Sequence, residues 1–110
     1  MSAFFDSEII KESLDDINKL QEDVYGKLVH FHLMNHDEQV DHVSKLTELL
    51  DKQRIMYTRL SLSDDPDAVI MKESLNKTVT MMGYPEGTDI AVLFKNMHAT
   101  IDALKEFLEA

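Results

Sequence analysis

The sequence predicts an all-α fold: a long antiparallel helical hairpin followed by two shorter helices, four helices in a bundle-like arrangement completed by dimerisation. Three observations carry that expectation. Two stretches hold an apolar stripe that steps alternately by three and four residues, first Ile10, Leu14, Ile17, Gln21, Val24, Leu28, Phe31, then Val43, Leu46, Leu50, Gln53, Tyr57, Leu60. That spacing keeps one face of a helix turned toward a partner. Glycine (3) and proline (2) are scarce, and β-branched residues form no alternating runs. Polar or Pro/Gly breaks at Asn35-His36-Asp37, Asp65-Pro66 and Gly83 to Gly87 then divide the chain.

The first helix is expected to start at Asp6, whose carboxylate caps free backbone N–H groups, with Phe5 and Ile10 as a hydrophobic staple. Glu8 suits the positive end of the helix dipole. The helix is expected to run to about Met34. Asn35 and Glu38 have the spacing of a capping box, which starts the second helix and carries it to about Leu60. Ser61 to Asp65 form a connector. Asp65 then caps the third helix and Pro66 takes its first position, where a missing N–H does no harm. That helix carries Val69, Met71, Leu75, Val79 and Met82 and stops at Gly83, a C′ residue. After a turn through Tyr84-Pro85-Glu86-Gly87, Thr88 is expected to cap the fourth helix, whose stripe is Ile90, Leu93, Phe94, Met97, Ile101, Leu104 and Leu108.

Each hairpin stripe is interrupted by one glutamine. Pairing positions whose numbers sum to 74 sets Gln21 opposite Gln53, a polar layer able to fix register inside an apolar seam. A turn nearer Asn35 slides the pairing by about one turn and separates the two amides. Helix 1 also carries a second apolar set, Ile9, Leu20, Tyr25 and Val29, expected to meet helix 4 or a second subunit.

The 110 residues make a single domain over positions 1–110. Aspartate and glutamate number 21 against 11 lysines and arginines, a net charge of −10 that repels phosphate backbones and anionic membranes. No apolar run approaches the roughly 20 residues that span a bilayer, and no signal-peptide pattern opens the chain, so the expected location is cytoplasmic. Without cysteine, disulfides, thiolate metal sites and cysteine nucleophiles are excluded.

Catalytic patterns do not emerge. No serine sits in a Gly-x-Ser-x-Gly elbow, the glycines at 26, 83 and 87 are isolated, and the pairs Asp15-Asp16 and Asp64-Asp65 diverge on a helix or serve as caps. The expectation is that the protein is not an enzyme and uses no cofactor. None of the five histidines follows an acidic residue by three positions, which excludes the Glu-x-x-His di-iron pattern. A looser metal set of His32, His36, Glu38 and His42 is the remaining metal reading, against solvated histidines at the hairpin tip. Met71, Met82 and Met97 fall on the apolar stripes and read as core, whereas Met81 and Tyr84 beside Gly83 read as exposed. Lys52, Arg54 and Arg59 gather on the second half of helix 2, either neutralising nearby acids or forming a docking patch.

Several segments point to a family when taken together: Ala3-Phe4-Phe5-Asp6-Ser7-Glu8-Ile9, Tyr57-Thr58-Arg59-Leu60-Ser61-Leu62-Ser63-Asp64-Asp65-Pro66, Met82-Gly83-Tyr84-Pro85 and Leu93-Phe94-Lys95-Asn96-Met97. With these the chain resembles, over nearly its whole length, a small cyanobacterial family called domain of unknown function 1825, found also in phages of those hosts. The resemblance implies a cytoplasmic protein of a cyanobacterium or of an infected cell. It brings no catalytic residue, cofactor or substrate.

The leading expectation is a non-enzymatic helical interaction protein, homodimeric, binding a protein partner through Phe4, Phe5, Arg54, Arg59, Met81 and Tyr84. No direct nucleic-acid or membrane contact is expected. The alternatives are an acidic regulator that mimics nucleic acid on a basic protein, and a metal-binding helical protein using the hinge histidines.

Overall fold

The computed structural model describes residues 3–109. It runs α1 (Glu8–Leu28), a short 3-10 turn (Phe31–Leu33), α2 (His36–Leu62), α3 (Pro66–Met81) and α4 (Ile90–Glu109), with no strand among the described residues.

The local capping signals act mostly where they were expected. Glu38 N donates to Asn35 Oδ1 (2.9 Å) while Asn35 N donates to Glu38 Oε1 (3.3 Å), a complete capping box at the start of α2. Asp67 N donates to Asp65 Oδ1 (2.9 Å), with Pro66 opening α3. Gly83 follows that helix at φ +103°, a left-handed conformation that an L side chain rarely adopts.

Three boundaries differ from the sequence reading. Ser7 N donates to Phe4 O (3.3 Å), closing a turn around Asp6, so the N-cap is Ser7 and the Phe5–Ile10 staple is out of register. Phe4 and Phe5 instead meet edge to face (5.0 Å) and pack against the core beside α2. The first helix stops at Leu28, six residues before Met34, because the reversal needs the residues up to Asn35. His30 N bonds Lys27 O, Leu33 N bonds His30 O, and Gln39 Nε2 reaches back to Phe31 O (3.1 Å), so Phe31 belongs to the turn. Finally, Asp89 rather than Thr88 serves α4, its Oδ1 accepting from Ala91 N (2.9 Å), while Asn76 Oδ1 takes the Ile90 N–H (3.1 Å).

Polar side chains cross the hairpin on one flank. The side-chain pairs crossing it are Asp23–Lys45 and Asp16–Lys52, whose numbers each sum to 68, and Ser13–Arg59, at 72. Gln21 and Gln53, whose numbers sum to 74, both border the groove described below, as do Leu14 with Leu60 and Ile17 with Tyr57. The turn reversing at Phe31–Leu33 sets the pairing.

α2 is the central helix. On one side it packs antiparallel to α1; on the other, Asp51–His98 (3.0 Å) and Tyr57–Asp89 (2.8 Å) set it antiparallel to α4. α3 closes one end against α2 and α4, and α1 barely touches α4. The molecule measures 47 × 34 × 20 Å, its thin axis about two helix diameters.

The core is split in consequence. Leu50, Tyr57, Leu60, Ala68, Val79, Ile90 and Phe94 form one cluster among α2, α3 and α4. Ile17, Val24 and Leu49 form a second between α1 and α2. Full burial of a side chain such as Leu50, Val24, Val43 or Val79 stabilises by about 1.5–3 kcal/mol each.

Candidate functional site

A groove lies along the split between the two clusters. Its volume is about 430 Å³. α1 supplies one wall through Leu14, Ile17, Asn18 and Gln21, and α4 supplies the other through Ile90, Leu93, Phe94 and Met97. Gln53, Met56, Tyr57 and Leu60 of α2 make the floor. Met71 and Leu75 of α3, with Phe5, close one end.

Two helices that both pack on a third and scarcely meet each other leave such a trough, and a fourth helix would fill it in a bundle. Because α1 and α4 run the same way on either side of α2, the trough follows the helix axes. Among the described residues that line it, none is Asp, Glu, Lys or Arg, in a chain where 29% of residues are charged. A second cleft, bordered by Leu46, Tyr84, Thr100 and Ile101, shares Leu93 and Met97 with it and continues the apolar surface along α4.

The polar groups of the groove are tied down or neutral. Tyr57 Oη donates to both carboxylate oxygens of Asp89 (2.8 and 2.9 Å), and burial raises its pKa above the usual 10.0, with hydrogen bonding to Asp89 acting the same way. Gln21 and Gln53, expected as a seam layer, both border the groove. Met71 and Met97, expected in the core, stand 44% and 40% exposed on its rim, and Met82 is likewise exposed. Sequence spacing placed both rim methionines on the right helix face; what it lacked was the separation of α1 from α4 that leaves this face uncovered.

The residues singled out from sequence separate. Phe5 lines the groove, with Phe4 beside it. Arg59 lies in a smaller cleft of about 190 Å³ on the other side of the hairpin, its Nη1 donating to Ser13 Oγ (3.3 Å). Arg54 is exposed with its Nη2 3.7 Å from Asp51 Oδ1. Met81 is 86% exposed beyond the end of the groove. Tyr84 is half-buried, its hydroxyl accepting from Asn96 Nδ2 (3.1 Å).

The hinge residues do not assemble either. His32, His36 and Glu38 are exposed, and Glu38 is engaged in its capping box. His42 is buried rather than solvated, in tilted contact with the Phe31 ring (5.5 Å). Among the described residues, no three His, Asp or Glu side chains gather to hold a metal, and no helix is long and apolar enough to cross a membrane.

Fold and groove together define an all-α chain built on one central helix, with an uncovered apolar trough between its two flanking helices. The chain belongs to the family described as a domain of unknown function (DUF1825), whose model matches residues 2–108. Neither a curated protein nor a solved structure matches it.

Proposed function

We propose that this chain is a non-enzymatic interaction protein that takes an apolar helix into the trough between α1 and α4. One observation carries the reading: the described residues lining the groove are aliphatic, aromatic, thioether and amide side chains with no ionised group, in an otherwise strongly acidic molecule. Contiguous exposed apolar surface of this kind is the ordinary mark of a protein interface. Rim methionines suit it, because an unbranched thioether chain adapts to the side chains it meets. Phe5 stays in the contact set, joined by Leu14, Met71 and Met97, while Arg54, Arg59, Met81 and Tyr84 lie off it.

A photo-crosslinking amino acid tests this when placed at Met97, with the exposed outer position Thr58 as control, in the cell that makes the protein. Protein adducts are expected from position 97 and not from position 58. Equal yields at both positions, or none at 97, would overturn the reading. Crosslinking repeated in lysate at about 0.5 M salt should still form the adducts, because the Debye length there falls to a few ångströms and an acidic mimic would have left its basic target before irradiation.

A further inference from the structure

We infer that the occupant of the groove is a second copy of this chain, the two α1 helices packing antiparallel about a two-fold axis beside Gln21. The inference rests on the reading of the groove as a docking site and names what fills it.

The molecule exposes more surface than a compact chain of its mass. A folded monomer of 12.7 kDa is expected to expose about 6,200 Å². This chain exposes 7445 Å², an excess of roughly 1,200 Å² over that scaling. Its radius of gyration is 15.8 Å, against about 13 Å for a compact domain of this length. A stable interface of standard size buries about 800 Å² on each partner. The uncovered surface is therefore sufficient for one.

The apolar surface of α1 also continues beyond the groove. The α1 wall of the groove is Leu14, Ile17, Asn18 and Gln21. Steps of four and three from Gln21 reach Tyr25 and Leu28, the last residue of α1, and Val29 is its C-cap. These three are 55%, 49% and 67% exposed and lie beyond the groove, toward the hairpin tip. One face of one helix thus has a half that lines the groove and a half that projects uncovered.

A two-fold axis through the midpoint of that face exchanges the halves. It sets Tyr25, Leu28 and Val29 of each copy against the groove half of the other. Such an isologous contact is self-complementary and closes at two subunits, as most soluble homo-oligomers do. Gln21, at the midpoint, meets its own counterpart, and an amide can both donate to and accept from an identical amide.

The native chain contains no cysteine, so single-cysteine variants report the contact directly. Sedimentation equilibrium of the full chain should give about twice the 12.7 kDa of one copy. Gln21→Cys should be trapped as a covalent dimer by a short bis-maleimide, and Thr58→Cys should not. Tyr25→Glu with Val29→Glu changes two exposed positions, so helical circular dichroism should be unchanged while the mass falls to one chain. A monomer at every accessible concentration overturns the inference, as does trapping at Thr58 in preference to Gln21, or a dimer that survives the double substitution. If the chain is monomeric but position 97 still yields adducts with a different protein, the second copy is wrong and the groove reading stands. If position 97 yields nothing, both fail.

Discussion

At the hairpin tip His42 is 3% exposed, and both its ring nitrogens are buried without a hydrogen-bond partner. Burial pushes its pKa below the ordinary 6.5. Lys27 acts in the same direction, Asp23 and Asp41 oppose it, and Lys45 adds to the lowering. The sign of the linkage follows. As pH drops below 6.5 the unfolded chain takes up a proton before the folded chain does, so stability declines until the folded pKa is reached. His42→Leu removes that dependence and the unsatisfied nitrogens, each of which costs about 1–3 kcal/mol when buried unpaired. Urea midpoints should show the variant at least as stable as the native chain at about pH 7, with a growing advantage toward about pH 5. An unchanged slope would count against His42 as its source. The sequence marks this residue only weakly. His42 precedes Val43 on the seam, and nothing local reveals that the Phe31 turn folds over it.

Among the elements, the caps at Asn35, Asp65 and Gly83 were legible because each acts within three residues, whereas those expected at Asp6 and Thr88 fall to Ser7 and Asp89. Asn35 with Glu38, Asp65 with Pro66, and Gly83 all act as their spacing indicates. Asp65 does more than its local role, since its Oδ2 also accepts from Phe4 N (3.1 Å) and so ties the N-terminal segment to the start of α3. Asp65→Ala is expected to cost about 1–2 kcal/mol in thermal or urea unfolding, as the loss of a cap does. It should also speed amide exchange at Phe4 and Phe5; protection unchanged there would contradict the tie. At the start of α4, by contrast, distant partners decided the boundary. Asp89 replaces Thr88 because Tyr57 and Asn76, 32 and 14 residues away in sequence, hold that end of α4.

For the molecule as a whole, the charge acts against the association inferred above. Two copies each carrying −10 repel at low ionic strength, and salt screens that repulsion while leaving apolar burial in place. The dimer should therefore tighten several-fold between about 0.02 and 0.2 M salt, measured by sedimentation or dilution calorimetry. Loosening over that range would mean that opposite charges, and not the α1 face, hold the copies together. The same balance explains why the groove lacks ionised groups. A buried unpaired charge there would cost several kcal/mol, more than the contact could return.

The sequence by itself determined the fold class, the order of the four helices and which face of each is apolar. These follow from periodicity and from caps, which act over a few residues. Tertiary structure alone decided the length of the reversal between α1 and α2, the splitting of the core and the exposure of Met71, Met97, Tyr25 and Leu28. Those depend on where the Phe31–Leu33 turn reverses and on α2 holding α1 and α4 apart, and both are set by packing between residues far apart in the chain. An apolar stripe reads the same from sequence whether it faces the protein's own core or an open groove.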